Sequence, residues 1–166
     1  MLSKLIVLVI LLLTYGYILY PRLEFPLPPE DALQSHEEAD TETFYRRAYF
    51  TNYSRDEVIA HYSNQFNYLP FLRLNYPPED AQTVIRDQTR STFLEELVHP
   101  FRDSIYINGF KPAEAKDEIR YMGYEFEQKI HVRYVPGSPI IGLVIVTLAA
   151  LLAKWTINEV KLEKKT

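Results

Sequence analysis

Two uncharged runs bracket this chain and constrain everything between them. Leu5–Tyr20 (LIVLVILLLTYGYILY) is sixteen residues without a charge, and Val135–Ala153 (VPGSPIIGLVIVTLAALLA) is nineteen. A helix crosses the ~30 Å hydrocarbon layer with about twenty apolar residues at ~1.5 Å each. By that rise the first run reaches ~24 Å and the second ~28 Å. Lys4 can snorkel and bring Leu2 into the first span, while Tyr15, Tyr17 and Tyr20 suit the interface at its other end. Lys154 and Trp155 sit at the edge of the second run as interface residues. The sequence therefore predicts a two-pass membrane protein: a transmembrane helix over 1–20, a spacer over 21–43, a folded domain over 44–134, a transmembrane helix over 135–155 and a basic tail over 156–166.

The first run ends in Tyr17, Ile18, Leu19 and Tyr20, not in the small residues a signal peptidase requires, so it reads as an uncleaved signal anchor. Lys4, Lys154, Lys161, Lys164 and Lys165 flank the runs, and short basic flanks stay cytoplasmic. Both termini are then expected in the cytoplasm and the central domain outside, in the cell envelope. In the second run, Gly142, Val146, Ala149, Ala150 and Ala153 recur at helical spacing and form a smooth packing face. That face serves either the first span or another membrane protein.

Charge separates the same regions. Residues 21–137 hold 13 basic and 20 acidic side chains, a net of −7, and the remainder is net +3. An acidic domain lacks the cationic surface that phosphates need, so no nucleic acid is expected as partner. The expected partners are membrane lipid and another membrane or envelope protein. The chain has no cysteine, which removes disulfides, thiolate metal sites and cysteine nucleophiles together.

Four prolines and seven acidic residues load 21–43 towards an extended spacer with no packed structure beyond a turn of helix. Phe44–Tyr53 alternates as a strand, and Ser54 with Glu57 has capping-box spacing ahead of a helix carrying Val58, Ile59, Tyr62 and Phe66. Phe71–Asn75 reads as a short strand. Pro77–Asp80 reads as a helix start. That helix continues either to Val98, or only to about Gln88 with an extended segment after it, since Pro100 disfavours continuation. Asp103–Phe110 and Tyr124–Val135 alternate as strands, with Asn108-Gly109 as a turn signal. The fold class is α+β: a small, mostly antiparallel sheet of three or four strands with one or two helices on one face, flanked by the two membrane helices.

Candidate chemistry is sparse. Arg86, Asp87, Arg90, Glu95, Glu96, His99 and Arg102 form a dense charged stretch, either a recognition surface for a carboxylate or phosphate group or a set of internal ion pairs. Glu96 and His99, and Glu57 and His61, have spacings that would place a carboxylate and an imidazole on one helix face. Neither completes a metal-ligand set. Ser91 or Ser104 with His99 and Asp87 or Asp103 could make a triad only on paper, because no nucleophile elbow or glycine-rich loop accompanies them. No catalytic residue, cofactor or metal is expected. Ten of the thirteen tyrosines lie in the central domain, a composition that suits a binding surface. The functional expectation is a membrane-anchored binding or scaffolding module. A tethered enzyme and an accessory subunit of a membrane complex are the alternatives.

Overall fold

The computed structural model describes residues 2–21, 24–78 and 89–163. The chain divides into two units: residues 1–22 together with 137–166, and residues 23–136.

The larger unit is an α+β domain. Its strands are β1 (Leu33–Gln34), β2 (Arg46–Thr51), β3 (Leu72–Tyr76), β4 (Thr89–His99), β5 (Asp103–Pro112), β6 (Ile119–Tyr121), β7 (Tyr124–Phe126) and β8 (Gln128–Pro136). Six of them form one antiparallel sheet in the order β1-β2-β8-β5-β4-β3, and β6 pairs with β7 in a separate hairpin. Among the described residues the domain's α-helix is α2 (Arg55–Gln65), which starts on the expected capping box. The Ser54 hydroxyl accepts from the Glu57 amide at 3.4 Å, and Glu57 accepts from the Ser54 amide at 2.7 Å. Val58, Ile59 and Tyr62 of α2, with Phe66 beyond it, pack on Tyr49, Leu97, Ile105, Ile107, Ile130 and Val132 of the sheet. Strand alternation places these residues on one face.

Several local expectations need correction. Of the two alternatives left open after Gln88, the extended one holds: residues 89–99 are strand and no single helix runs to Val98; of the helix expected from Pro77, residues 79–88 lie outside the described residues. Phe93, Leu94, Leu97 and Val98 fit a helical stripe, but paired between β3 and β5 the segment extends and buries both faces. Asn108-Gly109 is not a turn: β5 runs through it to Pro112. Glycine stands there because Phe93 lies across its backbone, and a Cβ at 109 would meet the ring at 2.1 Å. The strand expected over 124–135 breaks at Glu127 into β7 and β8, and Met122-Gly123, both at positive φ, turn the β6–β7 hairpin.

The segment expected as a bare spacer is part of the domain. Leu33–Gln34 adds the edge strand β1, and Phe25 and Ala32 pack against the core. Gln65 holds Leu27 at both backbone groups, donating to its carbonyl at 3.0 Å and accepting from its amide at 2.9 Å. Asp31 accepts from the Thr51 hydroxyl and the Asn52 amide, each at 2.6 Å. A proline-rich, acidic composition implies extension, but these acids have fixed donors elsewhere in the chain.

The smaller unit contains α1 (Leu2–Leu19) and α3 (Pro139–Glu163). Within α3, Pro139–Lys161 is a 23-residue stretch whose most apolar 18 residues have a mean hydropathy of 2.2, long and apolar enough to cross a membrane. Ser138 starts it, accepting from the Ile141 amide at 3.4 Å, with Pro139 at the first helical position. The apolar stretch of α1, Lys4–Leu19, is shorter than a standard span. The Thr147 hydroxyl donates to the Leu143 carbonyl at 2.7 Å, so the Tyr15 hydroxyl, 2.9 Å away, donates to Thr147.

Gly109→Ala is expected to destabilise the domain by about 1–3 kcal/mol, the usual range for overpacking a core. Urea unfolding of residues 24–136 measures it. Adding Phe93→Leu should recover part of the loss, whereas strict additivity would show that the Phe93 ring does not impose the glycine.

Candidate functional site

β4 carries four of the seven charged residues singled out in the sequence, and extension separates them. Arg86 and Asp87 lie outside the described residues. Arg90 is exposed near the start of β4. Glu95 and His99 point to the α2 face, and Glu96 to the opposite face, because neighbouring residues on a strand alternate. Arg102 sits buried in the β4–β5 turn. The stretch therefore divides among three clusters, and a fourth group adds none of its members.

Glu95 is fully buried. Arg55, from the first turn of α2, places Nη2 2.6 Å and Nε 2.9 Å from its Oε1. Arg73, from β3, donates Nη2 to Oε1 at 3.0 Å and Nε to Oε2. Both guanidiniums are about half exposed, so the charge is buried while its partners reach water.

On the opposite face Glu96 accepts from the Tyr76 hydroxyl at 2.7 Å. That bond, with a smaller contribution from burial, pushes the Tyr76 phenol up to about 12. Burial and a hydrogen bond to the same carboxylate raise Tyr106.

The third cluster centres on Asp103. His99 and Asp103 have no exposed side-chain surface, and Nδ1 lies 3.3 Å from Oδ1. The other ring nitrogen, Nε2, faces the carbonyls of Phe66 at 2.9 Å and Tyr68 at 3.0 Å. Carbonyls only accept, so Nε2 carries a proton, and Nδ1 gains a partner in Asp103 when it is protonated too. Tyr68 stacks on the imidazole at 3.6 Å between centroids and donates its hydroxyl to Asp103 at 3.2 Å. Tyr134 donates to the same carboxylate at 3.1 Å, and the Arg102 guanidinium lies 3.8 Å away. Burial alone would raise Asp103. The His99 and Tyr134 bonds and the Arg102 and His99 charges outweigh it and hold the carboxyl below its usual range. Burial and the Asp103 charge raise the Tyr68 phenol.

The fourth group lies outside the charged stretch. Asp40, in a 3-10 turn over Glu38–Asp40, is buried. It meets Lys129 Nζ at 2.7 Å and His131 Nε2 at 3.2 Å. Burial opposes its ionisation, but bonds from His131, Lys129 and Ser35 prevail and lower it far below the ordinary carboxylate value. Arg46 donates to His131 Nδ1 at 3.4 Å, which puts the ring proton on Nε2, towards Asp40.

The sequence pointed to His99 and Arg102 but raised Asp103 only as a paper triad member. No serine completes that triad: Ser104 alternates to the other face, and Ser91 donates to Asn108 at 2.8 Å. Neither Glu–His spacing forms a pair, since His61 bonds the Leu27 carbonyl at 2.9 Å and Glu96 and His99 face opposite ways. Arg55 and Arg73 lie 40 and 22 residues from Glu95, so no local spacing signals them. Among the described residues no group of three His, Asp or Glu side chains is arranged to hold a metal. Gly142 on α3 is buried, whereas Ala149 and Ala153 are exposed. No family model, curated protein or solved structure matches the chain.

Asp103 ties neutral-pH stability to its charge. Because its folded pKa is depressed, the contribution is complete above ~4, the unfolded value, and is lost as pH falls through the folded one. Asp103→Asn is expected to cost about 3–5 kcal/mol at pH 7, the range for breaking a buried pair. Urea midpoints of both proteins should converge below about pH 4. A gap independent of pH would show that the carboxylate charge is not what stabilises the site.

Proposed function

We propose that this chain is a two-span membrane protein whose α+β domain stands outside the cytoplasmic membrane and acts as a binding or scaffolding module of the cell envelope. One contrast within the domain carries the reading. The charged clusters around Glu95, Asp103 and Asp40 are turned inward on their own partners, while β3, at one edge of the sheet, keeps all five residues exposed. Leu72, Leu74 and Tyr76 project from one face of that strand. An edge strand with apolar side chains suits a protein partner, through backbone pairing or through that face. The 23-residue stretch of α3 supports membrane attachment. The second span is α1, lengthened by Lys4 snorkelling, and the flanking lysines favour cytoplasmic termini.

A second reading, an accessory subunit docked through α3, draws on the exposed Ala149 and Ala153. Small residues facing away from the protein leave room for another helix in lipid.

Two measurements test the proposal. With single cysteines at Ala39 and at Thr166 in intact cells, an impermeant thiol reagent should label Ala39→Cys only; the reverse pattern would invert the topology. A photo-crosslinking residue at Leu74 should yield adducts of discrete mass in cells, and one at Lys116, on an exposed connection far from β3 in sequence, should yield none. Adducts at neither site, or equally at both, would remove β3 as the binding edge.

A further inference from the structure

One end of the sheet gathers apolar side chains that stay largely exposed, although Phe44 and Tyr45 touch each other and Tyr45 touches Tyr134. Strand register defines that end: Asp103 opens β5 opposite Pro136, the last residue of β8, and opposite His99, the last residue of β4. β3 begins there, with Leu72 opposite Val98, and β2 enters there, the Tyr134 amide donating to the Tyr45 carbonyl at 2.8 Å. The residues around this rim are Phe44, 88% exposed, Leu69, 86%, Phe101, 52%, and Tyr45, 48%. Phe101 is held outward at the tip of the β4–β5 turn, with φ at 65°. Single exposed apolar residues are ordinary, but four from three separate loops at one end make a surface.

The chain itself indicates what covers that surface. β8 ends on this rim at Pro136, and α3, which holds the candidate span, begins at Pro139. Gly137 and Ser138 alone separate them, so three Cα–Cα steps of ~3.8 Å bring the rim within about 11 Å of the span's first residue. Aromatic side chains at that depth belong to the interfacial region, where Phe buries apolar area and Tyr does so while leaving its hydroxyl wet. We infer that the rim formed by Phe44, Tyr45, Leu69 and Phe101 is a lipid-contacting surface that rests in the headgroup region of the bilayer. This rests on the reading of α3 as a membrane span. It adds that the domain lies on the membrane and does not stand clear of it on a tether.

Tryptophan quenching in the full chain tests this, because Trp155 is the one native tryptophan and lies within the candidate span. The protein is reconstituted into phosphatidylcholine vesicles with acyl chains brominated near the headgroup. Trp155 emission reports on the span. In a Trp155→Phe background, Phe101→Trp and separately Phe44→Trp report on the rim. Tyr124→Trp reports on the β6–β7 hairpin, which packs on Phe50 at the opposite end of the sheet. The expected result is loss of emission by brominated lipid for Trp155, Phe101→Trp and Phe44→Trp, with a blue shift for the two rim probes and neither change for Tyr124→Trp. Quenching of Trp155 with unquenched, red-shifted emission from both rim probes overturns the rim while leaving the span intact. No quenching of Trp155 refutes the span, and the rim inference with it. If Phe101→Trp fails to fold, Phe44→Trp alone decides between these outcomes.

Discussion

Asp103 is a carboxylate with no exposed side-chain surface, and a charge placed there must be matched from within the domain. The match comes from three parts of the chain: His99 at the end of β4, Tyr68 from the loop after α2, and Tyr134 near the end of β8. Each bond fixes a route. The imidazole stacks with Phe66 and Tyr68 and also donates to the carbonyls of both, so the chain leaving α2 folds back over the β4–β5 end before β3 begins. Leu72 can pair with Val98 only after that return. The edge strand and the rim are thus both consequences of satisfying one buried charge.

Glu95 extends the same logic four residues along β4. Two arginines reach it from opposite sides, one from the first turn of α2 and one from β3. The helix start is therefore fastened to the edge strand through a carboxylate lying between them. Exposed ion pairs contribute little, but here the shared acid is buried and removing either cation leaves it undercompensated. Asp40 does the equivalent on the other face, holding residues 37–40 to β8 through Lys129 and His131.

What was legible in the sequence was local. The Ser54–Glu57 box, the alternation of Ile105 and Ile107, and that of Ile130, Val132 and Tyr134 all depend on near neighbours, and each appears as expected. The misreadings, and the choice left open for β4, share a cause: their determinants are distant. β4 carries apolar pairs at a spacing that suits a helix as well as a strand, and only its flanking strands decide. Gly109 signals a turn when read beside Asn108 and a close approach when read beside Phe93. Residues 24–43 read as a spacer because prolines and acids dominate, yet Asp31 and Asp40 find donors 20 and 89 residues away. The charged stretch was visible as composition, but its division over two faces of a strand was not, because that requires knowing the segment is extended.

The disposition of these groups also bears on catalysis. A general acid, a base or a nucleophile must come within hydrogen-bond reach of a reacting atom. His99 and Asp103 have no exposed side-chain surface and stack against or bond to the domain's own aromatic residues, so a substrate meets neither without local unfolding of the loop over Phe66–Phe71. His131 is better placed but has both nitrogens engaged, one by Arg46 and one by Asp40. His61 spends its Nε2 on the Leu27 carbonyl and Gln65. Three of the domain's four imidazoles, those of His61, His99 and His131, thus fasten segments of the chain to one another, while His36 is exposed.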